Sequence, residues 1–329
     1  MFWAQFAGRG IDEKADTGAA RMPGVVSLLV ILAAAAAALI GFTRLAPQAA
    51  TRLGLALERR RLGLSVRTGQ VPGFTIPYLE GGNGEVLALI HGFGGDKDNF
   101  ARVAGLLTTR FHVILPDLSG FGDATRDPTA RYRIADQVER LHALFQSLGV
   151  TRLRLGGNSM GGFIATQYAA TYPDEVIGLW LIDPAGTAAA YDTAMMRDTV
   201  ATGNSPLLLR HVADGDALIR ATMARPPYLP RFVRRAMALR GVADYALHCR
   251  IMEELRLNSP LLDTQYTTLA TPALIVWGTE DKVLNPAAAV TMQRLLPEGR
   301  VIMMPGLGHV PMLEDPAACA RDYLAHVGA

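Results

Sequence analysis

The chain has 329 residues, of which 50% are hydrophobic and 19% are charged. This length and apolar content support a large folded core and exclude a disordered chain, a collagen-like repeat and, with only 2 cysteines, a disulfide-stapled scaffold. The 32 Lys and Arg residues nearly balance the 30 Asp and Glu residues, and the resulting net charge of +2 gives no overall basic field for nucleic acid.

The first predicted element, after an N-terminal tail over 1–24, is an apolar helix over 25–42 that lies between Arg21 and Arg44. Its 18 uncharged residues would form about 27 Å of helix, which is enough to cross a thin hydrocarbon core. Its six consecutive alanines make it weakly lipophilic, so a signal peptide and a buried helix stay as alternatives. No clean A-x-A cleavage site follows, which favours a single-pass membrane anchor.

The charges on either side of this segment bear on its orientation. Lys and Arg are more numerous after it than before it: Arg44, Arg52, Arg59, Arg60 and Arg61 follow, and Arg9, Lys14 and Arg21 precede. The positive-inside rule therefore leans toward a cytoplasmic catalytic domain, with a secreted or periplasmic domain as the alternative. Residues 43–73 are predicted to be a juxtamembrane linker. The leucines of 51–66 lie either on the membrane surface or on a solvated connecting helix.

From about residue 74, short apolar runs alternate with amphipathic ones, which predicts an α/β domain with a mostly parallel sheet. The predicted strands are residues 74–82, 86–90, 111–116, 152–157, 176–182, 273–278 and 300–305. Residues 134–149 have apolar side chains at helical spacing, and prolines at 286 and 316 stand at plausible helix starts.

This alternation stops for about ninety residues after residue 182. A structureless loop of that length is unusual in a compact domain, and the segment contains helical periodicity. The sequence therefore predicts a helical cap over 186–262, inserted into an α/β core formed by 74–185 and 263–329. Ligands of open α/β sheets bind at the carboxyl ends of the strands, where such a cap would lie.

The pentad Gly157-Asn158-Ser159-Met160-Gly161 matches G-x-S-x-G and lies between a predicted strand and a predicted helix. Chance would produce about 0.07 such pentads in a chain of this composition, before the context is required. We therefore predict that Ser159 is a nucleophile on a sharp, tightly packed turn.

A serine nucleophile needs a base, and the base needs an orienting carboxylate. On this scaffold the expected chain order is Ser, acid, His. His309, in the turn after the last strand, is the predicted base, and His326 is the alternative near the C-terminus. Asp281 is the predicted acid, with Glu280 and Asp183 as alternatives, and each of these carboxylates is also a candidate for an ordinary turn or cap residue.

A tetrahedral intermediate requires two backbone N–H donors for its oxyanion. The amide of Met160, next to the nucleophile, is one candidate, and that of Phe93, in the glycine-rich turn after the strand 86–90, is the other. His91 and Asp117 also follow strands, but both are interpreted as turn-bonding residues rather than catalytic groups.

Five motifs, in this order, resemble the α/β-hydrolase superfamily over about residues 74–327. They are HGFGG at 91–95, PDLSGFG at 116–122, GNSMGG at 157–162, WGTED at 277–281 and GLGHVPMLEDP at 306–316. Together with the N-terminal apolar segment, the sequence most resembles membrane-anchored monoacylglycerol lipases and related bacterial lipases. Ser119 is a departure, since members of the superfamily usually carry proline there, and the shape of that loop is expected to differ.

The resemblance implies a triad of Ser159, Asp281 and His309, and an oxyanion hole formed by the amides of Phe93 and Met160. It also implies that the cap shapes an acyl pocket and that no metal or organic cofactor is required. The expected reaction is hydrolysis of carboxylic esters of lipids, such as monoacylglycerols, through an acyl-enzyme. The partners are therefore a lipid or small ester substrate and the membrane, and the oligomeric state is left open.

Several other functions share these motifs. GNSMGG also occurs in C–C bond hydrolases, but those enzymes typically have tryptophan after the catalytic histidine, whereas this chain has Val310. Ser159 excludes the relatives that use an aspartate nucleophile. A cofactor-free perhydrolase has the same triad and stays open, as does a non-catalytic, membrane-tethered binding module.

Overall fold

A computed structural model of the chain describes residues 23–328, so most of the predicted N-terminal tail lies outside the described residues. The chain forms two units, which divide between Ala46 and Pro47. The first unit contains the helix α1 (Pro23–Leu45). Its segment Val25–Leu45 has a mean hydropathy of 2.7 and no buried residues. At about 32 Å, that segment is long and apolar enough to cross a membrane.

The second unit alternates strands and helices. Its strands are β1 (Ser65–Val71), β2 (Phe74–Gly81), β3 (Glu85–Ile90), β4 (Phe111–Pro116), β5 (Leu153–Asn158), β6 (Val176–Ile182), β7 (Ala273–Gly278) and β8 (Gly299–Met304). Its helices are α2 (Pro47–Arg61), α3 (Ala101–Leu107), α4 (Ile134–Ser147), α5 (Met160–Thr171), α6 (Ala194–Thr202), α7 (Gly215–Thr222), α8 (Arg231–Ala243), α9 (Tyr245–Asn258), α10 (Leu262–Gln265), α11 (Ala289–Leu295), α12 (Pro311–Glu314) and α13 (Pro316–His326).

The eight strands form one sheet in the order β1-β2-β4-β3-β5-β6-β7-β8. β2 pairs antiparallel with β1 and β4, and all other neighbours are parallel. The carboxyl ends of the six parallel strands therefore meet at one edge of the sheet, where open α/β sheets bind ligands.

The predicted linker over 43–73 is wrong for its second half, because residues 65–71 form β1 and pair with β2 from Ser65↔Glu80 to Val71↔Phe74. The core unit accordingly begins at Pro47 rather than at 74. The sequence does not reveal β1 because it is an edge strand in which only Gly69 and Val71 are buried. Without a buried apolar face, a strand has no alternating pattern to detect.

Two apolar layers cover the two faces of the sheet, because side chains alternate along each buried strand. In β3, Ala88 and Ile90 contact one layer, and Leu87 and Leu89 contact the other. The first layer includes helices α4, α5 and α11, and the second includes α3 and α13. The helical spacing predicted over 134–149 is confirmed by α4, whose side chains Val138, Leu141, Leu144 and Phe145 are buried.

Between β6 and β7 the structure describes every residue and shows helices α6–α10 without a strand. This segment, called the cap below, is joined to the core by ion pairs. The guanidinium of Arg126 in the core donates to both oxygens of Asp244 at 2.8 and 3.0 Å. Arg240 of α8 pairs with Asp123 and Asp96 of the core.

Candidate active site

Ser159 lies at the carboxyl edge of the sheet, in the turn between β5 and α5. Its backbone has φ 56° and ψ −120°, and it is one of two non-glycine residues with positive φ among the described residues. A Cβ atom at Gly161 would lie 2.2 Å from the carbonyl oxygen of Ile90, and one at Gly157 would lie 2.3 Å from the backbone of Gly161. Both glycines of the pentad are therefore required by close backbone contacts, and they hold the serine in a strained conformation.

The structure brings together His309 and Asp281. The Nδ1–H of His309 donates to Oδ2 of Asp281 at 2.8 Å, and both residues are buried. Asp281 also accepts hydrogen bonds from Nε1 of Trp277 at 3.1 Å and from the amides of Val283 and Leu284 at 2.8 and 3.0 Å. Because Nδ1 carries the donated proton, Nε2 of the neutral imidazole is left as a proton acceptor.

Asn158, next to the candidate nucleophile, connects three strand ends. Its Nδ2 donates to the carbonyl oxygens of His309 at 2.9 Å and Ile182 at 3.0 Å. The backbone of the candidate base is thus attached to the residue that precedes Ser159. Sequence reasoning missed this role, because Asn158 occupies the variable position of the pentad and its partners are distant in sequence.

The glycine-rich turn after β3 contacts the turn of Ser159 directly. A Cβ atom at Gly92 would lie 3.2 Å from the Cβ of Ser159. Phe93 follows Gly92, and its ring contacts those of Phe121 and His248 at centroid distances of 5.3 and 5.5 Å. Phe93 and Met160, whose amides are predicted to form an oxyanion hole, directly follow the two residues of this contact, Gly92 and Ser159. The Met160 amide begins α5, where helix N–H groups have no partner within the helix.

The alternative acid and base candidates lie in different environments. Glu280 is exposed beside the buried Asp281. His326 ends α13. Burial lowers its pKa most, and the charges of Arg154 and Arg300, at the amino ends of β5 and β8, lower it further. That histidine is therefore associated with the opposite edge of the sheet from His309.

Asp183, the third acid candidate, is fully buried directly after β6, with φ 45°. Its Oδ1 accepts a hydrogen bond from the amide of Gly278 at 2.9 Å. Its carboxyl group forms a cluster with the carboxyl group of Asp281 and the imidazole of His309, since one polar atom from each of the three side chains lies within 4.8 Å of the other two. Burial, and then the charge of Asp281, raise the pKa of Asp183 well above its ordinary value.

His91 and Asp117 make backbone hydrogen bonds in their turns. Nδ1–H of His91 donates to the carbonyl of Gly92 at 2.7 Å, and its Nε2 accepts from the amide of Leu118 at 3.0 Å. Burial lowers the pKa of His91, which agrees with a neutral ring. Asp117 accepts from both the amide and the Nζ of Lys97, at 2.8 and 2.9 Å.

Ser119 replaces the expected proline without leaving the loop unsupported. Its hydroxyl donates to Oε1 of Gln137 and accepts from Arg140, each at 2.8 Å. The side-chain amide of Gln137 also donates, through Nε2, to the backbone carbonyl of Ser119 at 2.9 Å. Side-chain hydrogen bonds thus replace the restriction that proline would impose on this turn.

The cap contacts the loop that carries His309. The amide of His309 donates to the carbonyl of Thr222, at the end of α7, at 2.8 Å. The carboxylate of Glu314 forms hydrogen bonds to both the loop of His309 and the cap. In the loop it accepts from the amide of Gly308 at 2.8 Å. In the cap it accepts from the amides of Ala224 and Arg225 at 2.9 and 2.6 Å. The position of the candidate base is therefore coupled to the cap.

Comparisons with known proteins agree with this architecture. A family model described as an alpha/beta hydrolase fold matches residues 85–316. The chain is 38% identical to Lipase 3 of Moraxella sp. (strain TA144) over 275 residues, which cover 82% of this chain and 86% of that lipase. It is 27% identical to the monoacylglycerol lipase ABHD6 of Rattus norvegicus over 328 residues, which cover 92% and 96% of the two chains.

Among solved structures, the chain is similar to that of a membrane phospholipase A. The two superpose with a TM-score of 0.83 and 38% sequence identity, covering 93% of this chain and 98% of the other. Both the fold and a substantial part of the sequence are therefore shared with a lipid-hydrolysing protein.

Proposed function

We propose that Ser159, His309 and Asp281 form the catalytic triad of this chain, which belongs to the α/β-hydrolase fold family and is a carboxylic ester hydrolase. The observation that carries this proposal is the 2.8 Å contact between His309 and Asp281, on a loop that is bonded to the residue preceding the strained serine. Strained backbone is typical of residues that act directly in a reaction.

In the first half of the reaction, Oγ of Ser159 attacks the ester carbonyl while Nε2 of His309 takes its proton. The tetrahedral intermediate carries a negative oxygen, which the amides of Phe93 and Met160 stabilise. His309 then gives the proton to the departing alcohol oxygen, and the acyl group stays on Ser159. Asp281 holds the imidazole in its Nδ1–H tautomer and stabilises the charged ring.

In the second half, His309 removes a proton from water, and the resulting hydroxide attacks the acyl-enzyme. Collapse of the second tetrahedral intermediate releases the carboxylic acid, and His309 returns the proton to Oγ of Ser159. The residues required are therefore those of the triad and the two backbone amides.

Labelling with a fluorophosphonate probe tests the nucleophile. The wild-type chain should react once, at Ser159, and a peptide digest should locate the adduct on the peptide that contains it. An unlabelled but folded chain would contradict the enzyme proposal and favour the binding-module alternative. Labelling at another serine would contradict the site.

The proposed substrates are acyl esters of lipids, monoacylglycerols or similar compounds. The support is the lipid substrates named for the similar proteins, the N-terminal apolar helix and the apolar composition of the cap. In the cap, Leu209 is buried and Leu207 packs against the core, whereas Tyr228 is 88% exposed. A series of p-nitrophenyl esters and monoacylglycerols tests the proposal, and activity confined to acetate esters would contradict it.

We also propose that α1 anchors the protein in a membrane. Extraction with carbonate should leave the full chain in the membrane pellet, and a cleaved signal peptide would instead give a shortened soluble product. Reporter fusions at the C-terminus then decide on which side of the membrane the second unit lies.

A further inference from the structure

Asp183, the other non-glycine residue with positive φ among the described residues, has one carboxyl oxygen that accepts no hydrogen bond. Its Oδ1 accepts from the amide of Gly278, but its Oδ2 is buried and accepts no hydrogen bond from a donor among the described residues. The residue has no exposed surface. Burying an ionised oxygen without a donor is costly, whereas a protonated oxygen avoids this cost if it can donate to a nearby acceptor.

Asp281 is that nearby acceptor, and it is better supplied with donors. Its two oxygens accept from Trp277, Val283, Leu284 and His309. The side chains of Asp183, Asp281 and His309 form a cluster within 4.8 Å. Two buried carboxyl groups this close do not both ionise, because their charges repel each other. The proton belongs on the carboxyl with fewer donors, which is Asp183.

We propose that Asp183 is a positioning residue, which keeps a proton on Oδ2 and donates it as a hydrogen bond to the carboxylate of Asp281. This inference rests on the proposed triad, in which Asp281 orients His309. This additional hydrogen bond restricts the orientation of the Asp281 carboxylate. Because Asp183 stays neutral, it places no second negative charge beside the imidazole. Asp183 itself touches no substrate and acts through Asp281.

The groups that face Asp183 agree with a neutral carboxyl. They are Asp281 after β7, His309 and Glu314 from the loop and helix after β8, and the Cys319 thiol of α13. Burial raises the pKa of Asp183 most. The charge of Asp281, a side-chain hydrogen bond with Asp281 and the charge of Glu314 raise it further, and only the Gly278 amide opposes them. Burial, and then Asp183, raise the pKa of the Cys319 thiol, so that group is neutral as well.

Infrared spectroscopy of the full chain tests the proton directly. A protonated carboxyl has a C=O stretch that differs from that of a carboxylate and shifts in D₂O. The wild-type spectrum at neutral pH should contain this band, and the Asp183→Asn spectrum should lack it. Asp136→Asn is the matched control, since Asp136 is an ionised partner of Arg133 at the start of α4 and its replacement should leave the band in place.

Kinetics test the positioning role. Asp183→Ala removes the donor and should lower kcat about tenfold or more with little change in KM, because the lost hydrogen bond involves a charged acceptor. Asp183→Asn should restore most of that loss, since its amide donates to Asp281 while its oxygen accepts from Gly278. Asn also tolerates the left-handed backbone better than most residues, which favours a folded variant.

The pH dependence of stability gives a third readout. The pKa of Asp183 is higher in the folded chain than in the unfolded chain. The contribution of Asp183 to the free energy of unfolding is therefore fully present below about pH 4 and is lost as the pH rises toward the folded pKa. Asp183→Asn removes this dependence. The difference in free energy of unfolding, variant minus wild type, should therefore increase as the pH is raised above 4.

Three results would overturn the inference: absence of the protonated band in the wild-type spectrum, a folded Asn variant as impaired as the Ala variant, or a stability difference that does not depend on pH. If Asp183→Ala does not fold, the spectrum of the Asn variant decides the question. Failure of the triad itself would appear separately, as fluorophosphonate labelling that does not depend on Ser159.

Discussion

At the scale of the residue, close backbone contacts and side-chain hydrogen bonds fix the geometry of the site. The backbone of Ser159 is held at positive φ by glycines on both sides, and the side-chain amide of Asn158 connects the turn of Ser159 to the loop of His309. Each of these features joins segments that are far apart in sequence. Single substitutions there are therefore expected to have large and distinguishable effects on activity and on stability.

Replacement of Ser159 by Ala should abolish turnover, with a loss on the order of 10⁴ to 10⁶ in kcat, because removal of a triad nucleophile leaves only binding and oxyanion stabilisation. Initial rates on a p-nitrophenyl ester measure the loss. Ser65→Ala, at an exposed position in β1, is the control and should retain wild-type rates. Near-wild-type activity of the Ser159 variant would contradict the assignment.

Gly161→Ala should destabilise the fold by about 1–3 kcal/mol or prevent folding, because the new Cβ would overlap the carbonyl oxygen of Ile90. Gly54→Ala is the matched control: this glycine lies in α2, and a Cβ there would meet no atom within 4 Å. The control should stabilise α2 by about 0.5–1 kcal/mol. Urea denaturation of both variants measures the contrast, and equal effects would contradict the close contact.

At the scale of the element, charged side chains join the segments around the site. Lys97, 2% exposed, lies two residues after the glycine-rich turn and bonds both Asp117 and Asp123. Asp123 in turn pairs with Arg240 of α8 in the cap. Lys97 and Arg240 contribute to lowering the pKa of Asp123 to about 2, so this carboxylate stays ionised at neutral pH. The turn that contains Phe93 is thereby connected to the cap.

Lys97→Met should lower the free energy of unfolding by about 3–5 kcal/mol, because it leaves the buried Asp117 without its cation. Arg102→Met provides the comparison, since the Arg102–Glu58 pair is 43% and 35% exposed and should contribute less than about 1 kcal/mol. Chemical denaturation measures both. Similar small losses in the two variants would mean that the buried network does not stabilise this turn.

At the scale of the whole molecule, the chain combines an apolar helix with an ester-hydrolase unit. A hydrolase whose substrates are membrane lipids would benefit from such an arrangement, because a membrane anchor would keep the enzyme at the surface where the substrates are concentrated. The function of α1 can be varied independently of the site, since α1 belongs to a separate compact unit.

Introducing arginine at Leu32, near the centre of α1, should shift the protein from the membrane to the soluble or aggregated fraction. Arginine at the centre of a spanning helix costs about 2.5–3.5 kcal/mol on insertion scales. Leu32→Ile is the control and should stay in the membrane. Fractionation followed by immunoblotting measures the distribution, and full membrane retention of the arginine variant would contradict the anchor.

The sequence alone determined the α/β architecture, the strands from residue 74 onward and the turn that carries Ser159. These features depend on local signals: buried strands are apolar runs, helix α4 has a helical period, and the turn of Ser159 needs glycines at fixed offsets. It missed β1, whose mostly exposed residues carry no such pattern. Because β1 was missed, the predicted start of the core, at residue 74, is also too late.

Only the tertiary structure decided which carboxylate contacts His309. Asp183, Glu280 and Asp281 all follow strands, and chain order cannot separate them, because the choice depends on the positions of β6, β7 and β8 in the sheet. The same is true of Asn158 and of the proton that we assign to Asp183. Both arise where strand ends from distant parts of the chain are packed together and water is excluded, and no local pattern records that contact.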